Sequence, residues 1–298
     1  MSAVEFAKSL LGWTFGSEAA FRMTDGFLNG PKMPYVRAIN YHDTPPEFAS
    51  NFRKQLKWMS SRFTDCNGRM LEQLLTDGAW DSPRPGILIS FDDGLKSQFE
   101  VAAPLLEEFG FTGWFMLPVA FLDAAGPQHA EFASTNTISC QIRSKSDALA
   151  MSWDDAKNLE KRGHVITCHS MNHKRLSDAL SDMELREEIV DSKAALESRL
   201  GHAVSGFTWV GGEEQAYSKR AFDFMLEAGY AEIFCTNCDP IVARANPQFL
   251  NRSNIEAHFD MNRVRLVLGG LYDRKYQAKR KRVYNLLTGN EADARKEN

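Results

Sequence analysis

Two carboxylates and two imidazoles lie at the ends of two apolar runs in the sequence. GILISFDDG ends in the carboxylates Asp92 and Asp93, and HVITCHSMNH ends in His169 and His173, four residues apart. Parallel sheets place active sites at the carboxyl ends of their strands, so we expect these residues to meet. Two imidazoles and one carboxylate form a three-ligand site with the open position that a catalytic divalent metal requires. Because side chains alternate along a strand, the two aspartates can take separate roles, one as a ligand and one as a base.

Apolar runs of strand length alternate with stretches of helical periodicity along the chain. Short apolar runs lie at 36–43, 86–93, 112–118, 164–170, 206–210, 231–236 and 249–256, and helical periodicity appears at 47–62, 95–109, 181–200, 218–228 and 260–271. This alternation predicts an α/β fold with about seven parallel strands. Gly110, Gly201 and Gly229 follow helical segments, where a left-handed C-terminal cap favours glycine. The polar stretch 124–150 is interpreted as one long loop.

Length and composition limit the possible classes of protein. Barrel folds of 298 residues can form one domain, and we divide the chain into an N-terminal extension (1–35), a barrel (36–287) and a flexible tail (288–298). A net charge of -4 and a pI near 6.0 disfavour a nucleic-acid partner. Five scattered cysteines suit a reducing compartment, and the N-terminal residues lack the features of a signal peptide. The N-terminal residues therefore lead us to expect a cytoplasmic protein. No apolar run approaches the ~20 residues of a membrane span.

The two apolar run ends resemble the motifs of a known family. SFDDG is similar to the first motif, and HSMNHKRL to the second motif, of the polysaccharide deacetylase family, also called the NodB-homology family or carbohydrate esterase family four. The resemblance covers motif order, spacing and the βα rhythm from about Val36 to Leu271. It implies a distorted (β/α) barrel in which Asp92 is the general base. It also implies that Asp93, His169 and His173 bind a divalent metal, for which zinc is our expectation.

Other positions depart from the family pattern. The third motif appears as FTWVGG, with Thr208 where an arginine often stands, and its Trp209 either stacks on a sugar or packs in the core. Arg252 resembles the arginine of a family branch whose first strand carries Tyr-His, and it either pairs with Asp92 or forms a surface salt bridge. In that branch a histidine of the first strand replaces the missing C-terminal one, which makes His42 the candidate general acid. We assign its neighbour Tyr41, with Trp209, to substrate binding.

The remaining candidate sites receive simpler interpretations. His42 has the alternative of merely hydrogen-bonding the turn at Asp43, and CTNC at 235–238 is interpreted as a coincidental pair of cysteines bordering the pocket. Four histidines are interpreted as structural: His129, His164, His202 and His258. A basic run near the C-terminus is either a solvated helix face or a weak contact for anionic lipid or phosphate, and it comprises Lys275, Lys279, Arg280, Lys281 and Arg282.

Together these features predict a hydrolase. Metal-activated water would remove an N-acetyl or other N-acyl group from a sugar or polysaccharide precursor. One alternative is a hydrolase of another carbon–nitrogen bond, such as a formamide or cyclic amide. The other is a carbohydrate-binding protein that has lost its chemistry, which would lack the base or a ligand.

Overall fold

The computed structural model describes residues 17–28, 32–140 and 148–290. One sheet contains nine strands: β1 Tyr35–Tyr41, β2 Thr64–Asp65, β3 Gly86–Phe91, β4 Gly113–Leu117, β5 Val165–Cys168, β6 Gly206–Thr208, β7 Glu232–Cys235, β8 Ile241–Val242 and β9 Leu250–Asn254. The seven strands of three or more residues coincide with the seven predicted apolar runs.

Seven parallel strands close into a barrel. Hydrogen bonding runs in the order β3, β4, β5, β6, β7, β9 and β1, and β1 pairs in turn with β3, from Val36 opposite Gly86 to Tyr41 opposite Phe91. Strand β2 extends the sheet beside β3, and β8 pairs antiparallel with the start of β1. The predicted α/β barrel in a single domain is therefore confirmed.

Helices surround the barrel: α1 Glu18–Leu28, α2 Ala49–Ser60, α3 Gly68–Thr76, α4 Ala103–Glu108, α5 Val119–Asp123, α6 His129–Thr135, α7 Trp153–Lys161, α8 Asp182–Arg186, α9 Ser192–Leu200, α10 Lys219–Glu227, α11 Met261–Leu268, α12 Leu271–Lys275 and α13 Gln277–Thr288. Gly110, Gly201 and Gly229 have φ of 71°, 86° and 74°, as the predicted caps require. The stretch 124–150 is not one loop, because α6 forms within it; residues 141–147 lie outside the described residues.

Helix α1 lies near the start of the described residues and packs on the barrel. Helix α1, inside the segment predicted as an extension, packs on the core through Phe21, whose ring lies edge-on to Trp58 at 4.9 Å. At the other end, most of the predicted tail (291–298) lies outside the described residues. Within the described ranges, no helix combines the length and apolar character that crossing a membrane demands.

Strand side chains alternate between two separate apolar clusters. The smaller cluster lies inside the barrel, where Trp114 of β4 contacts Phe234 of β7 with ring centroids 5.9 Å apart, although these strands are not neighbours. The larger cluster packs against the helices and includes Tyr41 and Phe91. Every second side chain of a strand points into the barrel. Polar residues that continue this alternation therefore lie side by side at the carboxyl ends of the strands.

Candidate active site

A cavity of about 670 Å³ opens at the carboxyl ends of the barrel strands. Asn40, Asp92 and His169 enter it from or just after β1, β3 and β5, all in register with the interior set. Asp93 and His173 reach the same cavity from the turns that follow β3 and β5. The structure therefore brings together the four residues with which the sequence analysis began.

Asp93, His169 and His173 form a compact buried cluster. Their ligand atoms all lie within 4.8 Å of one another. Asp93 Oδ1 is 3.0 Å from His173 Nε2 and 3.8 Å from His169 Nε2. The three side chains are buried, which excludes bulk water as their main partner.

A hydrogen bond at Nδ1 fixes the tautomer of each imidazole. His169 Nδ1 lies 3.0 Å from the Thr208 carbonyl, and His173 Nδ1 lies 2.7 Å from the Asn136 carbonyl. A carbonyl only accepts, so each Nδ1 carries a proton and donates it. The Nε2 atom of each ring is thereby turned towards Asp93, and in the neutral ring it carries the lone pair that a metal would take. Backbone carbonyls orient metal-binding histidines in this way in many proteins.

The cluster has the donor chemistry of a divalent-metal site. Asp93 Oδ1 is buried and lies 3.0 Å from His173 Nε2, and this carboxylate raises the pKa of His173. Burial alone would raise the pKa of Asp93, but His173 and the other nearby histidines hold it at about 2. Burial lowers the pKa of His169 to about 4, which keeps this ring neutral as a ligand must be. One carboxylate and two imidazoles fit a metal with one open position.

The backbone around the cluster adopts unusual conformations. Asp93, Ser170 and His173 have φ of 79°, 68° and 57°, in the left-handed region that costs a non-glycine residue about 1–3 kcal/mol. Ser170 Oγ accepts a hydrogen bond from the His173 N–H (3.0 Å) and so stabilises the turn. Gly94 has φ of 64°, and a Cβ there would lie 2.9 Å from Leu122, which explains the glycine of SFDDG. Strain of this kind concentrates at functional sites.

Asp92 has different partners from Asp93. Arg252 of β9 holds it with two hydrogen bonds, and Asn40 Nδ2 lies 3.2 Å from Oδ2. Burial alone would raise the pKa of Asp92, but the charge and the hydrogen bonds of Arg252 hold it below the ordinary value. The predicted pairing of Arg252 with Asp92 is confirmed, and the surface salt bridge is excluded because Arg252 is buried.

His42 is paired with a carboxylate that the sequence analysis gave no role. Its Nδ1 lies 2.7 Å from Glu256 Oε1, across the gap between the ends of β1 and β9. Burial alone would lower the pKa of His42, but Glu256 outweighs burial and raises it to about 10. Asp43 accepts a hydrogen bond from Ser97 Oγ instead (2.7 Å). His42 therefore lines the cavity as an imidazolium at neutral pH.

Both predicted substrate-binding aromatics are buried away from the cavity, and their assignment is corrected. Tyr41 is 0% exposed and donates its hydroxyl to Gln55 Oε1 (2.9 Å). Trp209 is 1% exposed, and its ring packs on Tyr217 at 5.0 Å. Both belong to the cluster that faces the helices. Alternation turns them away from the interior, and a sugar ring has no access to either.

The other histidines are mostly structural, as predicted. His129 and His164 accept backbone N–H hydrogen bonds from Leu149 (3.1 Å) and Gly113 (2.9 Å), and His202 lies at the surface beside Glu160. His258 differs, because it is exposed at the rim of the cavity.

The cysteines of CTNC are free and buried. Burial raises the pKa of Cys235 to about 12 and that of Cys238 to about 11, which disfavours reactive thiolates. The basic run is also mostly engaged within the protein: Arg280 donates to the carbonyl of Asp273 (2.7 Å), and Arg282 donates to both Glu214 oxygens. A lipid contact through this run has no support in the structure.

Sequence reasoning missed two kinds of site residue. Glu256 lies four residues after Arg252 and shares its parity, so alternation along the chain after β9 could have placed it in the cavity. The carbonyl of Asn136 gave no signal, because every residue has a carbonyl and only the folded loop selects this one.

Comparison with known proteins places the chain in a family. No curated protein sequence matches it. Among solved structures, the deacetylase PplD of Streptococcus pyogenes, in complex with acetate, is similar with a TM-score of 0.62, 17% identity and coverage of 78% of this chain and 98% of that one. IcaB of Ammonifex degensii has a TM-score of 0.57 and 16% identity, over 80% and 98% of the two chains. At such identities the likeness concerns the fold.

The sequence itself also matches a family model. The model for polysaccharide deacetylases covers residues 80–233, which contain both the SFDDG and the HSMNHKRL motifs. This span is more than half of the 298 residues. The chain therefore belongs to the polysaccharide deacetylase family.

Proposed function

We propose that this protein hydrolyses the N-acyl bond of an acylated sugar, with N-acetyl as the acyl group. Membership of a deacetylase family supports the reaction class. The proposal depends on one observation: three groups of side chains meet at one cavity. They are the Asp92–Arg252 pair, the Asp93–His169–His173 cluster and the His42–Glu256 pair. Together they offer a base, a metal site and an acid, which amide hydrolysis needs.

The metal site would be formed by Asp93 Oδ1 and the Nε2 atoms of His169 and His173. A divalent metal held there would supply Lewis-acid chemistry, polarising an acyl carbonyl and making water more acidic. Three protein ligands leave room for a water or a substrate oxygen. We propose zinc, although mixed carboxylate and imidazole ligands also suit other divalent ions.

Asp92 is the proposed general base. Arg252 keeps its carboxyl ionised at neutral pH, so it can accept a proton from the water that attacks the acyl carbon. The bidentate contact and Asn40 also fix its orientation. A carboxylate held in place loses little entropy when it takes up the proton.

His42 is the proposed general acid. Its Nδ1–H is held by Glu256, so the Nε2–H remains to be donated to the leaving nitrogen of the amide. The products would then be acetate and a free amine on the sugar. Glu256 orients the ring and stabilises its positive charge until the proton is transferred.

A panel of N-acetylated sugars and oligosaccharides tests the proposal. The protein, supplied with zinc, should release acetate from at least one of them, and mass spectrometry should show the loss of one acetyl group. Asp92→Asn serves as the matched inactive control. Deacetylation by neither protein, or equally by both, would contradict the proposed function.

A further inference from the structure

A second cavity, of about 790 Å³, adjoins the candidate active site. Thr236, Asn254, Glu256 and His258 line both cavities, so the two form one continuous depression. The far wall of the second cavity comes from α11, α12 and the start of α13. None of the proposed catalytic steps uses this wall.

Aromatic rings and cations form the far wall. Tyr272 and Tyr276 lie one helical turn apart, with ring centroids 6.3 Å apart and planes at 20°. The Arg263 guanidinium lies over the Phe259 ring at 3.4 Å. Lys279 enters the same cavity from α13. Aromatic faces beside cations are typical of sites for ring-containing anionic ligands.

The acidic residues that line this cavity do not pair with the cations that line it. Each acidic group has a cation outside the second cavity: Arg175 donates to Glu213, Arg282 lies 2.6 Å from Glu214, and His42 lies 2.7 Å from Glu256. Each acid is therefore paired with a cation, which weakens its repulsion of an incoming anion.

Lys279, by contrast, forms no ion pair with a described carboxylate. Its ammonium donates to the Gly212 carbonyl and lies 5.4 Å from the centre of the Tyr276 ring. In the described parts of the chain, no carboxylate lies within salt-bridge distance of it. Burial lowers the pKa of Lys279, and the charges of nearby Glu214 and Glu213 oppose this shift without outweighing it. A ligand oxyanion would supply the missing partner.

We infer that the second cavity binds an anionic group, a phosphate or a carboxylate, covalently attached to the sugar whose N-acyl group lies in the first cavity. Lys279 is the main contact for the oxyanion, and Tyr272 and Tyr276 form the surface on which a sugar ring of the same molecule stacks. The assignment of the N-acyl group to the first cavity rests on the proposed function, whereas the anion site stands on the second cavity alone.

Binding measurements with probes that carry no N-acyl group test the anion site directly. Glucose 1-phosphate, glucuronic acid and methyl glucoside provide phosphate, carboxylate and neutral probes for titration calorimetry. At least one anionic probe should bind roughly tenfold or more tightly than methyl glucoside, the difference expected from one charge-assisted contact. Whichever anion binds more tightly identifies the group that the cavity takes.

Three variants show whether Lys279 is responsible. Lys279→Met should weaken binding of the preferred anion roughly tenfold, and Lys279→Arg should largely retain it. Lys281→Met removes the same charge from an exposed position on the same helix, outside the second cavity, and should leave binding unchanged. Equal binding of anionic and neutral probes, or equal effects of Lys279→Met and Lys281→Met, would overturn the inference.

The two proposals fail in different ways. Because these probes undergo no deacylation, Lys279-dependent binding without acetate release from any sugar would contradict the proposed function and leave the anion site supported. Deacetylation of neutral sugars without any Lys279-dependent anion binding would overturn the anion site alone.

Discussion

Arg252 donates two parallel hydrogen bonds to Asp92 in the barrel interior, Nη1 to Oδ1 at 2.6 Å and Nη2 to Oδ2 at 2.9 Å. The two residues belong to β9 and to the end of β3, and β1 lies between these strands. Arg252 Nη1 also donates to Ser90 Oγ at 2.9 Å, which fixes the guanidinium plane. Closure of the barrel through β1 therefore brings Arg252 to the proposed base, and Arg252 keeps that base ionised.

Removing this guanidinium should impair the base. Arg252→Met leaves Asp92 buried without its main counter-charge, so its pKa, now held below the ordinary value, should rise. The acid limb of the pH profile of kcat/KM should move to higher pH, and the rate at neutral pH should fall. Arg53→Met, on the exposed side of α2, is the matched control and should leave the profile unchanged. An acid limb that does not move would refute the role of Arg252.

The metal-site assignment makes a prediction about binding stoichiometry. Asp93→Ala and His173→Ala each remove one of three ligands, so both should lose most of the bound metal by elemental analysis. His129→Ala, a buried histidine outside the cluster, serves as the control and should keep it. Full metal content in Asp93→Ala or His173→Ala would rule the assignment out.

Asp92 should act without holding the metal. Asp92→Asn keeps the size and shape of the side chain and can accept only one of the two Arg252 hydrogen bonds, and it cannot accept a proton at neutral pH. We expect metal content to stay at the wild-type value while kcat falls by about 10² or more. If elemental analysis shows that metal is lost as well, the roles of the two aspartates have been assigned in the wrong order.

The sequence predicted the barrel because the apolar strand segments and the helical periodicity between them were both clear. Seven apolar runs with intervening helical segments determined the fold, and strand ends located Asp92, Asp93, His169 and His173. Tyr41 was misassigned because it stands next to His42 in the chain, although neighbours on a strand face opposite sides.

Other features depended on tertiary structure that local patterns do not encode. Helix α6 is short and lies in a polar stretch, so packing rather than amphipathic periodicity stabilises it. It brings the Asn136 carbonyl onto His173. The second cavity, likewise, results from how α11 to α13 pack beside the barrel.

His42 should affect amides more than activated esters. Expulsion of an amine requires a proton, whereas 4-nitrophenolate leaves without one. His42→Ala should therefore lower the rate on an N-acetyl sugar by roughly 10² and largely spare 4-nitrophenyl acetate. Metal content and thermal unfolding of the variant should match the wild type. Equal losses on both substrates would show that His42 is structural.

Glu256 should set the pH range over which His42 can donate. The carboxylate raises the pKa of His42 to about 10, so the imidazolium form persists well above neutral pH. Glu256→Gln keeps a hydrogen-bond partner but removes the charge, and the pKa should fall towards the unperturbed value of about 6.5. Because the protonated form is the acid, activity should be lost on the alkaline side, with the falling limb of kcat for an N-acetyl sugar moving down in pH. The acid limb, which reports Asp92, should stay where it is. Glu160→Gln removes the carboxylate that pairs with the surface residue His202 and is the matched control. If the alkaline limb lies at the same pH in wild type, Glu256→Gln and Glu160→Gln, another group supplies the proton.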